Sequence, residues 1–201
     1  IADKNYKIVH HEGPDARGID CALLYDPQHF KVTSSKSVKF KIPGNERFRS
    51  RDQLVVSGEL LGEKIHFIVI HWPSRRGGEA KSRPKRIEAA KLTKSIVDSL
   101  KQMDKKAKVI VMGDFNDDPI SPSIKDFLNA NGSTILKNNQ MFNTMYDHYK
   151  KGIGTLAYRD QWNLFDQFIL TPSLVLKPSD IDSYNRYNSF SYYKSVVYNK
   201  S

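Results

Sequence analysis

The sequence contains one cysteine and no long apolar run. A single cysteine, Cys21, excludes both an internal disulfide framework and a zinc site made of cysteines. The apolar stretches are short, as in residues 68–70, and none approaches the roughly 18 residues that a membrane-spanning helix requires. The first residues lack the basic and then apolar pattern of a secretory signal. One cysteine is compatible with any compartment, so localisation stays open, and so does the oligomeric state.

The composition is that of a folded domain. The 201 residues are 39% hydrophobic and 11% aromatic, which excludes a disordered polyelectrolyte. A chain of this length buries roughly 70% of the surface that its unfolded form exposes, so it can form a core without disulfides or structural metal ions. We interpret residues 1–201 as one domain, with an atypical segment at 178–201 that is rich in Tyr, Ser and Asn.

The positive charge is concentrated in two segments. The formal net charge is +10. Residues 31–51 carry seven Lys or Arg and one acidic residue, and residues 75–91 carry seven and two. Such segments favour a polyanionic partner, nucleic acid above all, and they would steer phosphates to the surface. Taken singly, each segment is better explained as a solvated basic face.

Strand-like and helix-like segments alternate along the chain. Such alternation favours a mixed α/β or α+β sandwich. Residues 53–61 and 64–71 predict a hairpin about Gly62-Glu63, and Ser82 followed by Pro84 predicts the start of a helix that ends near Met103. The other predicted elements are strands at 18–25, 30–40 and 108–112, a short helix after Ser121-Pro122, and a strand pair formed by 155–158 and 164–170.

Side chains that can take part in catalysis or bind an anion or a metal follow two of the predicted strands. His71 ends an apolar strand and precedes a loop that carries Arg75 and Arg76 before Gly77-Gly78. Glycines let a backbone approach an anion closely, and guanidinium groups match phosphate oxygens. Residues 109–112 form the second apolar strand, and Asp114 and Asn116 follow it. A carboxylate there can hold a metal or polarise water, although an ordinary turn and a packed histidine remain alternatives.

A third candidate, Asp166, lies inside a predicted strand. Residues 164–170 are otherwise mostly apolar. Burial of a carboxylate is costly unless it is paired with a histidine, an arginine or backbone donors. We therefore expect Asp166 to be buried and to have a dedicated partner.

Together these strings resemble the endonuclease/exonuclease/phosphatase family, the metal-dependent phosphodiesterases related to deoxyribonuclease I. Residues 113–117 (Gly-Asp-Phe-Asn-Asp) match its best-known motif, and residues 164–167 match its Asp-bearing strand. His71 with Pro73 and Ser74 matches its central histidine block, and residues 17–25 match an earlier strand. The resemblance implies an α+β fold, a four-layer α/β/β/α sandwich of two stacked mixed sheets, in this chain incomplete at both ends.

The resemblance also implies roles for single residues. Asp114 would orient or deprotonate the attacking water, with Asn116 beside it, and both would contact Mg²⁺ or Mn²⁺. His71 would bind the scissile phosphate and stabilise its developing charge. Asp166 would orient a second histidine. Arg17, Arg75 and Arg76 are assigned to substrate phosphates.

Two parts of the family pattern do not occur in this sequence. The opening Asn strand and the Glu that is the principal Mg²⁺ ligand are missing: residues 1–16 offer only Glu12, in the loop-like string His10-His11-Glu12, and we do not assign it that role. The closing Ser-Asp-His block is also missing, since no histidine follows His148. We expect a fragment of a phosphodiesterase or nuclease with little activity of its own. The alternative is a catalytically silent domain that binds phosphate or nucleic acid.

Overall fold

A computed structural model describes residues 5–137 and 139–175. The segment 178–201 lies outside the described residues, and the single-domain interpretation stays a prediction. The helices are α1 (Glu79–Met103) and α2 (Tyr146–Lys150). The strands are β1 (Lys7–His10), β2 (Ala22–Tyr25), β3 (Phe30–Val38), β4 (Gln53–Leu60), β5 (Glu63–His71), β6 (Val109–Asp114), β7 (Ala130–Asn131), β8 (Met141–Asn143), β9 (Leu156–Tyr158), β10 (Gln161–Asn163) and β11 (Asp166–Leu170).

Seven strands form one mixed sheet in the order β3-β4-β5-β6-β11-β8-β7. At its centre β5 runs parallel to β6, with α1 as the connection between them. On the two sides, β4 is antiparallel to β5, and β11 is antiparallel to β6. Because of these directions, the end of β5, the end of β6 and the start of β11 meet at one edge of the sheet.

The predicted β4–β5 hairpin is confirmed, but its turn lies one residue earlier than the predicted Gly62-Glu63. Leu61 and Gly62 link the strands, and both have positive φ values, 51° and 85°. Two consecutive left-handed residues match the twist of the flanking strands. The β-branched residues of β5 are covered on both faces of the sheet, as their continuous apolar run indicates.

The sheet separates two cores. On one face, Ile68 and Val111 pack with the apolar side of α1, including Ala90 and Val97. On the other face, alternate residues of the same strands pack against β2. β1 and β2 pair with each other as a second, two-stranded sheet. The predicted α+β sandwich of stacked sheets is therefore confirmed, and α1, the large sheet and the β1–β2 sheet supply three of its layers within the described residues.

The predicted start of α1 is wrong. The helix begins at Glu79, after Gly78, and Ser82 lies in its first turns as a buried residue. The Ser82 hydroxyl donates to the carbonyl oxygens of Gly78 (2.8 Å) and Glu79 (3.1 Å) instead of capping backbone N–H groups. Pro84 is the sixth residue of the helix, so the helix forgoes one backbone hydrogen bond in its second turn.

The predicted pairing of residues 155–158 with 164–170 is also wrong. β9 pairs with β10, whereas β11 pairs with β6 and β8. β1, which exposes most of its side chains, was not predicted. The short helix expected after Ser121-Pro122 is a single π-helical turn, Ser123–Phe127. Among the described helices, none has the length and apolar character to cross a membrane.

Candidate active site

Three of the predicted site residues meet at the sheet edge. Asp114 is opposite His71 in the parallel register of β5 and β6, and opposite Asp166 in the antiparallel register of β6 and β11. Gly113 permits this approach, because an added Cβ would collide with the carbonyl oxygen of Ile70. Its φ of 132° is also one that side chains rarely adopt.

His71 and Asp114 form a half-buried pair. His71 Nε2 lies 3.5 Å from Asp114 Oδ2, and about a third of each side chain is exposed. Burial raises the pKa of the Asp114 carboxyl, and the nearby negative charge of Asp166 acts in the same direction. Burial lowers the pKa of His71, and the positive charge of Arg51 adds to this effect. Both shifts favour the uncharged forms, so the carboxyl holds a proton more readily and the imidazole releases one more readily.

Asn116 fixes the Asp114 carboxylate. Its backbone N–H donates to Oδ1 (2.7 Å), and its side-chain amide donates to Oδ2 (3.3 Å) and to the Trp72 carbonyl oxygen (3.0 Å). The residue is buried and has a left-handed φ of 51°, which asparagine tolerates better than most residues. The two-residue spacing of Asp114 and Asn116 therefore makes one hydrogen-bonded unit.

Asp166 is a correction to the sequence analysis. Its side chain is exposed, and within the described residues no hydrogen bond or ion pair of its carboxylate is found. The buried residue of this strand start is Gln167, whose amide donates to the carbonyl oxygens of Asp117 (2.6 Å) and Leu164 (3.0 Å). Side chains alternate along a strand, so burial of Gln167 turns Asp166 outward at the edge.

The two predicted loop arginines have different settings. Arg75 donates to the Asn116 carbonyl oxygen (3.0 Å) and to Asp118 (3.0 Å), and its guanidinium lies 4.5 Å from the centre of the Phe165 ring. Asp117 and Asn163 accept further hydrogen bonds from it. Arg76 is exposed, with no side-chain hydrogen bond to any described residue. Arg75 thus holds the loop after β6, whereas Arg76 is open to a ligand.

Arg17 belongs to a second charged group beside His71. Its Nε lies 3.3 Å from Asp15 Oδ1, and more than half of its side chain is exposed. Arg51 binds the other Asp15 oxygen (3.3 Å) and donates to the Trp72 carbonyl oxygen (2.8 Å), although it is almost fully buried. Sequence reasoning counted Arg51 only as part of a basic segment. Its position directly before the apolar β4 was the available signal.

Two cavities open beside this edge. One, of about 760 Å³, lies between the 74–79 loop and the β9–β10 hairpin. Arg75, Arg76, Tyr158 and Arg159 are among its lining residues. The other, of about 500 Å³, lies between residues 12–14 and the 39–52 loop, with Lys39, Lys41, Phe48 and Arg49 in its lining. Both basic segments of the sequence therefore contribute to the surroundings of the His71–Asp114 pair.

Some of the side chains at this edge are of the type that binds a hard divalent cation. Asp114 and Asp166 offer carboxylate oxygens from neighbouring strands, and Asn116 offers an amide oxygen beside them. Mg²⁺ binds through one or two carboxylates together with substrate phosphates and water. The side chains at this edge could therefore hold the ion that the family resemblance implies.

The comparisons with known proteins agree with this architecture. The catalytic domain of human Nocturnin, solved with a bound sulfate anion, superposes with a TM-score of 0.59 at 16% identity, covering 92% of this chain and 68% of that one. Truncated Caenorhabditis elegans TDP2 gives 0.53 at 15% identity (85% and 64%). The Bacteroides thetaiotaomicron mannosyl-6-phosphatase gives 0.55 at 16% identity (84% and 63%). No curated protein sequence matches significantly.

The family is shown by a sequence-family model. The model of the endonuclease/exonuclease/phosphatase family matches residues 1–200, so the chain belongs to that family of phosphoester hydrolases. The chain spans only about two thirds of the length of the three solved relatives. The roles of the single site residues remain predictions.

Proposed function

We propose that the chain carries the central part of a Mg²⁺- or Mn²⁺-dependent phosphoesterase that hydrolyses phosphodiester bonds, with nucleic acid as the favoured substrate. The observation that carries this proposal is the pairing of His71 with Asp114 at a sheet edge, next to a cavity that Asn116, Arg75 and Arg76 line. Family membership supports the reaction class. The name of the Bacteroides relative makes a phosphomonoester the second substrate class to test.

Asp114 is the proposed proton acceptor. It would take a proton from the attacking water, which then forms a bond to phosphorus as the bond to the leaving oxygen breaks. A carboxyl whose pKa is raised by burial is a better base than an exposed one. Asn116 keeps both carboxylate oxygens in place through its two hydrogen bonds.

His71 is the proposed ligand of the scissile phosphate. With its pKa lowered by burial, the ring is neutral at physiological pH and can donate one N–H to a phosphate oxygen. This donor would stabilise the charge that develops in the transition state. When bound, the divalent ion would supply further positive charge to the phosphate, with Asp114, Asn116 and Asp166 as its protein ligands.

The exposed arginines complete the proposal. Arg76 and Arg159 both line the larger cavity, and Arg17 lies near His71, where its charge contributes to the lowered pKa of that ring. We assign these three to neighbouring phosphates of a polyanionic substrate. Tyr158, in the same cavity, exposes most of its ring and would stack on a base.

The test measures Mg²⁺-dependent hydrolysis of bis(4-nitrophenyl) phosphate and of 4-nitrophenyl phosphate. It uses the 201-residue chain and the encoded reading frame with any residues that flank it. The Glu and the Ser-Asp-His block of the family do not occur in this sequence, so we expect low turnover from the chain itself. Asp114→Asn and His71→Ala should each reduce turnover by about 100-fold or more.

Asp126→Asn is the matched control, since Asp126 is an exposed carboxylate in the π-helical turn. Full activity of Asp114→Asn would overturn the mechanism. Salt-sensitive oligonucleotide binding without turnover in either form would favour the silent binding domain instead. Faster turnover of the monoester would assign the chain to phosphatases.

A further inference from the structure

A second group of ligating side chains lies on the β1–β2 sheet. His10 pairs with Ala22 at the end of β1. Continued past the strands, this antiparallel register brings Glu12 opposite Asp20. Residues two apart on a strand share a face, so His10, Glu12 and Asp20 converge. Their ligating atoms all lie within 4.8 Å of one another.

The Asp20 carboxylate is buried, and few neighbouring groups offset its negative charge. Only 8% of its side chain is exposed. Within the described residues its one hydrogen-bonding or ion-pairing partner is the His10 ring, whose Nε2 lies 3.4 Å from Oδ2. A buried carboxylate normally has close donors or a bound cation, because desolvation of its charge is costly. Glu12 adds a second carboxylate to the group, which increases the need for a cation.

The backbone is adapted to this convergence. Gly13 follows Glu12, and an added Cβ at that position would collide with Asp20 Oδ1. The close approach of the loop after β1 to the Asp20 carboxylate therefore leaves little room for a side chain at this position. The three side chains are held together by the chain path and not by chance proximity of long surface residues.

We propose that His10, Glu12 and Asp20 bind a divalent transition-metal ion of the Zn²⁺ class. One imidazole nitrogen and two carboxylate oxygens are ligands that Zn²⁺ accepts, with water completing four-coordination. Mg²⁺ prefers oxygen ligands alone and retains its water, so it is disfavoured here. The site shares no residue with the His71–Asp114 pair, and the proposal does not rest on the proposed hydrolysis.

The ion would stabilise the strand that supports His71. Cys21 follows Asp20 directly, and its buried thiol lies close to the backbone of His71. A metal that ties the end of β1 to the residue before Cys21 therefore restrains the segment that packs against His71. The expected effect is on stability, since an ion that binds only the folded chain shifts the unfolding equilibrium by mass action.

The test titrates the metal-free 201-residue chain with Zn²⁺ and, separately, with Mg²⁺ by calorimetry, and records Tm with and without Zn²⁺. We expect one Zn²⁺ at this group, in addition to any ion held at Asp114, and a higher Tm in its presence. His10→Ala and Glu12→Gln should each weaken Zn²⁺ binding by about tenfold or more. Glu12 is exposed, so Glu12→Gln keeps the test valid if His10→Ala folds poorly.

Two control variants separate this site from other binding. His29 lies 3.1 Å from Asp26 but belongs to no three-residue ligand group among the described residues, so His29→Ala should bind Zn²⁺ normally. Asp126→Asn, which changes an exposed carboxylate outside the group, should also bind it normally. Absence of Zn²⁺ binding, binding that survives Glu12→Gln unchanged, or loss of binding in either control would overturn the proposal.

Discussion

The carboxylates around the site differ in setting although they are close in sequence. Asp114 is half-buried and carries a raised pKa, whereas Asp117 is fully buried and neutralised by Arg75 and Arg86. Asp166, opposite Asp114, is exposed. A carboxylate with an elevated pKa in an accessible cleft is suited to proton transfer, and one locked between guanidinium groups is suited to structure. Burial and partners, more than residue type, distinguish the two.

A sequence motif identifies such residues but not their environment. The Gly-Asp-Phe-Asn string and the strand-terminal His71 predicted one site through the family that they resemble, and the parallel register of β5 and β6 brings Asp114 and His71 together. The state of Asp166 was not predictable, because alternation along β11 fixes its direction only once Gln167 is known to be buried. Nor was the setting of Arg75, since its acceptors come from residues more than 40 positions away.

His66 should make folding stability pH-dependent. Its buried ring accepts or donates a 2.7 Å hydrogen bond with Ser57, and burial followed by the charge of Lys64 lowers its pKa. The folded chain then binds fewer protons than the unfolded chain, in which the pKa of histidine is about 6.5. The contribution of His66 to the free energy of unfolding is therefore fully present above that pH. It is lost as the pH falls below that value, towards the lower pKa of the folded chain.

Urea unfolding from about pH 7.5 to about pH 5.5 checks this sign. We expect the free energy of unfolding to fall less in His66→Gln, which keeps a hydrogen-bonding group without the titration. His11→Gln is the matched control, because His11 also contacts a serine, Ser35, but through a solvent-exposed hydrogen bond. Equal pH dependence in His66→Gln and the unmodified chain would contradict the prediction.

At the scale of elements, the central strands were predictable and the peripheral ones were not. β4, β5 and β6 are apolar, β-rich and buried on both faces, so local composition and tertiary packing agree. β1 exposes most of its side chains, and β10 places Trp162 in solvent, so neither shows a burial pattern. Their pairing depends on hydrogen bonds to a neighbour, which local sequence does not specify.

Gly113 should be essential to the approach of β5 and β6. We expect Gly113→Ala to lower the free energy of unfolding by about 3 kcal/mol or more, because strain at a positive φ and a backbone collision add. Gly44→Ala is the control. Gly44 has a φ of 74° and open space around it, so only the strain of about 1 kcal/mol applies. Equal losses in urea unfolding would show that the collision with Ile70 is relieved.

Arg86 joins α1 to the loop that carries the site. It is fully buried, and its Nε lies 2.8 Å from Asp117 Oδ1 in an ion pair whose N–H does not point at the oxygen. Arg86→Ala leaves Asp117 with less compensation for its buried charge, so we expect a loss of about 3–5 kcal/mol. Arg83→Ala, which removes an exposed partner of Glu79 on the same helix, should shift the urea midpoint little. Similar midpoints for the two variants would contradict this assignment.

At the scale of the whole molecule, charge and topology coincide. The strand directions bring three strand ends to one edge, and the loops that leave the same edge contain Lys39, Lys41, Arg49 and Arg76. The opposite edge has its own basic residues, Lys105 and Lys106, before β6. Net charge alone therefore does not show whether a basic surface attracts the ligand or is only solvated. Removal of the same number of charges from each of the two edges distinguishes these cases.

Oligonucleotide binding should depend on the edge that carries the site. Arg76→Ala with Arg159→Ala removes two exposed charges from the larger cavity, and we expect weaker binding of a single strand with a log–log salt slope reduced by about 1.4. Lys105→Ala with Lys106→Ala removes the same charge from the far edge and should change neither affinity nor slope appreciably. Fluorescence anisotropy of a labelled single strand across a salt series measures both. Equal losses of affinity in the two double variants would mean that the +10 charge attracts the strand without a specific location. The cavity would then make no specific contact with phosphate.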